Sequence, residues 1–385
     1  MPKQHRTTVI LGITQTLAWG TTYYLPAILA APMARDLGLD TQWVFAAFSA
    51  ALIVSAVLGP AVGRWIDHHG GRGTLASSNL VMATGLTLLA YADEAIAMGG
   101  AWLVLGAGMA MGLYEAAFAT LARVHGRHAR GAMTGITLMG GLASTIFWPV
   151  TAYLDAELGW RAACLVWAGV HLAAGFPLNR FGIAQATQSV EQHEPSPSTT
   201  GTQANRTMVL LAIAFTASWC VSTAIASHLP HLLSESGLSM PAAIAAAALV
   251  GPAQVGGRLL EFSAMRHISP LVSARIAALA HPTGALFFAL VGGPAGMLFA
   301  VLHGAGNGVL TVAKGTLPLA LFGARGYGQR QGLLTVPARI GQAIAPFVFA
   351  VLIERWGTAA LAFSAGIGLA STTALLAIHA PRAPT

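Results

Sequence analysis

The chain has 385 residues, 55% hydrophobic and 9% charged, with a formal net charge of +7 and a mean hydropathy of +0.66. A soluble protein of this length carries about 25% charged residues, so most of this surface must lie in lipid, and the positive charge is read as membrane topology rather than nucleic-acid binding. Only helices and closed barrels satisfy their backbones in a bilayer; long unbroken apolar runs, in place of alternating segments of about ten residues, select helices.

The apolar runs predict twelve transmembrane helices, at 8–30, 43–62, 74–92, 98–121, 131–153, 162–179, 207–229, 241–260, 271–291, 295–316, 332–353 and 357–379. Each approaches the roughly 20 residues that cross a hydrocarbon core of about 30 Å. The polar stretch "GPAVGRWIDHHGGRGT", 59–74, reads as the turn between spans 2 and 3. Its histidines, His68 and His69, read as solvated. Between spans 6 and 7, residues 181–206 are polar and Pro-containing, as in a linker. The expected organisation is an N-terminal six-helix bundle over 1–180, a linker over 181–206 and a C-terminal six-helix bundle over 207–385. Cys164 and Cys220 both fall inside apolar runs, so no disulfide is expected.

Charge placement orients the map. Of 20 basic residues, Arg35, Arg161 and Arg355 fall on one side and Lys314 and Arg339 within spans; the remaining fifteen, Arg382 among them, share the other side. The positive-inside rule makes that side cytoplasmic, with both termini and the linker.

The halves repeat. "VILGITQTLAW" at 9–19 matches "VLLAIAFTASW" at 209–219, and Arg64 and Asp67 near the end of span 2 match Arg258 and Glu261 near the end of span 8. "ELGWRAA" before span 6 is echoed by "ERWGTAA" before span 12, and "GAG" at 106–108 by "GAG" at 304–306. A parallel internal repeat of this kind is common in secondary transporters.

On these residues the chain resembles the major facilitator superfamily. The loop motif of that family, Gly, three residues, Asp, two residues, Gly, one residue, then Arg or Lys, stands here as Gly63, Asp67, Gly70 and Arg72. Gly159, Trp160 and Arg161 precede span 6 as in relatives. The resemblance implies two six-helix halves around a cavity lined by spans 1, 4, 7 and 10. It implies a cytoplasmic gate in which Asp67 pairs with basic side chains and the start of span 11. The Arg that relatives often carry early in span 4 for drug–proton antiport is missing. Looser similarity to monocarboxylate and oxalate–formate porters suggests a small organic anion.

Acids and bases within spans are costly and usually functional, and here they are Glu115, Lys314 and Arg339. Span 10 carries His303, Asn307, Thr311 and Lys314 as one helical stripe. Span 4 carries Gly108, Met111, Gly112 and Glu115 with Tyr114 beside them. The "GAG" register puts Glu115 near the counterpart of Lys314, as an intracavity salt bridge or a proton site. Span 11 carries Thr335, Arg339 and Gln342, and a guanidinium suits a carboxylate. Span 1 presents Gln15, Trp19, Tyr23 and Pro26, and Trp219 of span 7 repeats Trp19. A cavity wall for a planar or amphipathic solute is set against simple packing for these aromatics.

No Gly-rich loop with Lys and Ser suggests ATP hydrolysis, and no catalytic constellation or cofactor site is read. The expected function is secondary active transport of a small solute by alternating access in a bacterial inner membrane, proton-coupled, by a monomer. Its partners are the bilayer and a small molecule, with no nucleic acid. Alternatives are efflux of amphipathic drugs, uptake of a vitamin or of a soft metal such as copper through Met109, Met111, His228 and His231, and a solute sensor that does not transport.

Overall fold

In the computed structural model, residues 3–184 and 201–379 are described; most of the expected linker, 185–200, and Arg382 lie outside them. The described chain is almost wholly helical. Ten segments are long and apolar enough to cross a bilayer. One of them, Tyr327–Leu376, holds two crossings separated at Gly357. A further crossing at the N-terminus is broken into Lys3–Ala18, a π-helical turn at Trp19–Tyr23 and Pro26–Asp36. That makes twelve, as in the sequence reading, with large apolar side chains such as Val57, Leu290 and Phe347 left exposed for lipid.

Most helices run past their apolar runs. Span 2 is Thr41–His69 and span 3 is Gly71–Ala90, so His68 and His69 are still helical and Gly70 alone makes the turn. Its φ of +84° is a left-handed value that a side chain would resist. Gly159 turns the chain between spans 5 and 6 in the same way, with φ +82°. The other crossings are Ala95–His125, Ala129–Leu158, Trp160–Gly182, Thr202–Glu235, Met240–Ala248 with Val250–Ser263, Pro270–Val291, Gly296–Phe322, Tyr327–Trp356 and Ala360–Leu376. Span 7 therefore begins at Thr202, inside the stretch read as linker.

By internal contacts the chain divides into two compact units, Met1–Pro195 with Gly323–Val336, and Ser196–Phe322 with Pro337–Thr385. Each "GAG" does the same work in its own unit. A Cβ on Gly106 would meet the Ala51 backbone of span 2, and one on Gly108 would meet Met82 of span 3. In the second unit Gly304 faces Val250 and Ala253 of span 8, and Gly306 faces Ala277 and Ala280 of span 9. Small residues let backbones approach where lipid gives no hydrophobic drive between helices. The sequence repeat is thus a repeat of helix contacts.

Candidate functional site

The motif residues meet the start of span 11, which belongs to the first unit. Gly59 and Gly63 of span 2 oppose Gly332 and Gly328, and a Cβ at Gly63 or Gly328 would strike the other's backbone. That approach lets the half-buried Asp67 reach the first turn of the helix. Its Oδ1 accepts from the Gly328 N–H at 2.8 Å and its Oδ2 from the Gln329 N–H at 2.9 Å. A carboxylate at a helix N-terminus satisfies orphan donors and meets the positive end of the dipole. Arg123 of span 4 donates to the carbonyls of Asp67 and His68. Arg330 donates to the carbonyls of Gly323 and Arg325. Tyr327 is fully buried, within electrostatic reach of Glu115, Arg330 and Asp67. Arg72 is half-buried, and His69 stacks on Trp65.

Span 4 is not the continuous helix its periodicity predicts. It breaks at Leu113, whose backbone is extended, and restarts at Tyr114. Glu115 therefore lies in the first turn of a new helix and is half-buried. The carbonyl of Gly112 beside the break accepts from Gln15 Nε2 at 2.6 Å. Next to it the buried Trp19 ring lies 4.9 Å from both Tyr23 and Tyr114, and Tyr114 stacks on Phe118. Sequence reading anticipated Gln15, Trp19, Tyr23 and Tyr114, and they come together. It missed the π-helical turn at Trp19–Tyr23, which brings Tyr23 and Tyr24 both within 6.0 Å of Trp19. Such turns recur at functional sites.

In the second unit two cations share one indole. Lys314 Nζ lies 3.5 Å from the centroid of the half-buried Trp219, and the Arg339 guanidinium carbon lies 5.5 Å from it. Both cations are buried, Arg339 almost completely. Arg339 also donates to Gln342 Oε1 at 3.2 Å, and Gln342 donates to Thr223. Cations within about 6 Å of a ring face are held by its quadrupole, which orients them. Asn307 donates to Ser222 at 2.9 Å, and Thr311 returns its hydroxyl to the Asn307 carbonyl. His303 diverges from this group and meets His281 of span 9, a residue the sequence reading passed over. A second buried histidine it missed, His171, bridges Thr21 and Asn79 at 2.8 Å each.

The soft-metal set is occupied otherwise. His228 donates to the Pro346 carbonyl, His231 lies 3.7 Å from Glu235, and Met109 is buried in the first unit. Among the described residues, no group of three or more His, Cys, Asp or Glu gathers as a metal cage.

A family model described as Major Facilitator Superfamily matches residues 11–302. Solved structures with a similar fold include the E. coli fucose:proton symporter FucP, with 13% identity, a TM-score of 0.75 and coverage of 96% of this chain and 97% of that one. The human organic anion transporter MFSD10 gives 15% identity and a TM-score of 0.69, with coverage of 97% and 100%. The proton:xylose symporter XylE gives 13% and 0.65, with coverage of 97% and 93%. A search of curated protein sequences found no match.

Proposed function

Because the chain belongs to the Major Facilitator Superfamily, we propose that it is a secondary transporter that moves a small organic anion through the bacterial inner membrane, driven by protons, with both termini cytoplasmic. It is no enzyme, and its family and fold are those of transporters. The observation that carries the substrate class is the pair of buried cations, Lys314 and Arg339, on the single ring of Trp219. A guanidinium presents a planar fork to a carboxylate and an ammonium adds a point charge, so the pair suits a carboxylate with a flat or apolar body against the indole. Among the similar folds, one belongs to an organic anion transporter and two to proton symporters. At their low identities these support the fold, and the side chains support the substrate.

The test is a thermal-shift screen of purified protein against mono- and dicarboxylates, followed by uptake of the hits into proteoliposomes with and without an inward proton gradient. A carboxylate that stabilises the protein and accumulates only with the gradient supports the reading. Stabilisation by cationic amphiphiles alone supports a second reading, efflux of amphipathic compounds, for which the Trp19, Tyr23 and Tyr114 cluster would be the binding wall.

A further inference from the structure

One polar cluster in the second unit is not used by the transport reading. His281 lies midway along span 9 and His303 in the first half of span 10; both are buried. Their Nδ1 atoms are 3.0 Å apart. On its other side, His281 Nε2 lies 3.1 Å from Ser364 Oγ of span 12, and that hydroxyl donates to the Leu361 carbonyl at 2.9 Å. A hydroxyl has one proton. With that proton committed to Leu361, Ser364 can only accept from His281. His281 Nε2 therefore carries hydrogen, and in the neutral ring Nδ1 is a lone pair aimed at His303. A hydrogen bond that fixes the tautomer and aims the other nitrogen is the support that metal-binding histidines use. The Phe299 ring lies 5.5 Å from His281 and 6.0 Å from His303, nearly parallel to the latter, and holds both in place. Beside the pair is a cavity of about 30 Å³ lined by both histidines with Ser218, Asn307 and Ser371. A water needs about 10–15 Å³ on this measure, so the space takes one or two.

We propose that His281 and His303 form a binding site for a soft monovalent metal ion, Cu(I) or its analogue Ag(I), bridged between the two Nδ1 atoms, with a cavity oxygen as an additional ligand. The site is independent of which solute the transporter moves. Imidazole nitrogen suits copper, and an ion of this kind is content with two or three ligands, where tetrahedral zinc requires four. With metal–nitrogen bonds of about 2 Å, nitrogens at a trigonal angle sit about 3.5 Å apart, so the rings need to part by about 0.5 Å.

The charged groups of the surrounding helices are engaged elsewhere. Arg275 of span 9 donates to the carbonyls of Leu375, Leu376 and Ile378, and Lys314 lies over Trp219. Arg258 and Glu261 follow Gln254, which already faces Gly308, and so lie further along span 8. A bound ion keeps its charge in the site, and one charge costs less to bury than two.

In the empty pair His303 donates its Nδ1 hydrogen to His281. Binding moves that proton to His303 Nε2, freeing the second lone pair. Two metal–nitrogen bonds form, one hydrogen bond breaks, and neither a proton nor an electron leaves the protein.

The purified full chain is titrated with silver nitrate in chloride-free buffers of differing ionisation enthalpy and followed by calorimetry. We expect one bound equivalent that is lost in His281→Gln and in His303→Gln, kept when Cys164 and Cys220 are both replaced by Ser, and bound without proton release. A stoichiometry unchanged in either histidine variant overturns the site, and so does an equivalent that disappears with the thiols. Should the histidine variants not fold, wild-type protein labelled with nitrogen-15 histidine decides the matter. Silver–nitrogen coupling on two ring nitrogens confirms the pair, and its absence refutes it.

Discussion

Asp67 caps the start of span 11 through Gly328, whose N–H donates to Oδ1 at 2.8 Å, while the neighbouring Gln329 N–H donates to Oδ2. Losing a capping side chain costs about 0.5–2 kcal/mol. If this contact closes a gate, that energy sets the balance between closed and open states. Asp67→Ala is then expected to shift the balance by up to a factor of about 30 and to lower transport, with membrane abundance unchanged. Asp67→Asn keeps one acceptor and is expected to do less. Transport rates normalised to abundance check this; two variants equal to wild type would leave the loop a topological marker.

The glycine contact beneath that cap predicts stability. A Cβ at Gly63 meets backbone of Gly328 and Gln329, which cannot swing aside as a side chain can. Overpacking of this kind costs about 1–3 kcal/mol. Gly63→Ala is expected to lower the unfolding temperature in detergent. Gly73→Ala, where nothing lies within 4 Å, is expected to leave it unchanged or raise it. Equal midpoints for the two would sink the close-approach argument.

Much of this was legible beforehand, and the misses share a cause. Hydropathy finds where a helix must cross lipid, so twelve crossings could be read. The two "GAG" stretches could be matched because close approach demands small residues at the same register. Local breaks were not legible. The extended Leu113 and the π-helical turn at Trp19–Tyr23 sit within ordinary apolar sequence, and tertiary contacts such as Gln15 to the Gly112 carbonyl accompany them. The direction a polar residue faces was equally hidden. His303 shares a helical stripe with Asn307 and Lys314, yet it meets span 9, because His281 offers it a partner there and is itself held by Ser364 of span 12. His281 itself, in "AALAHPTGALF", was visible as a polar residue inside an apolar run.

The shared indole predicts how substrate affinity divides. Trp219→Leu removes the face that orients Lys314 and Arg339, worth about 0.5–2 kcal/mol. Arg339→Gln removes a charge-assisted hydrogen bond to a carboxylate, worth about 1.5–3 kcal/mol. For an anionic substrate, dissociation constants measured by calorimetry are expected to rise in both, more in Arg339→Gln. For a neutral ester of the same molecule, Arg339→Gln is expected to change little. Equal losses for acid and ester would mean that Arg339 shapes the bundle and does not read charge.

Glu115 carries the prediction about coupling. It begins the second half of span 4, in the first helical turn, where the dipole favours its charge. It lies within electrostatic reach of the buried Tyr327, as do Asp67 of span 2 and Arg330 at the start of span 11. A proton gained at Glu115 therefore changes the field around the helix end that Asp67 caps, which would link protonation to the opening of that contact. Glu115→Gln mimics the protonated state permanently. It is expected to abolish transport driven by a pH gradient while leaving solute exchange, which needs no net proton movement, at the wild-type rate. Tyr327→Phe removes the hydroxyl and keeps the ring, and is expected to shift the pH profile of driven transport without abolishing it. Proteoliposome assays with and without a gradient, run on wild type and both variants, separate the roles. If Glu115→Gln lowers driven transport and exchange by the same factor, Glu115 supports the helix end and the coupled proton binds elsewhere.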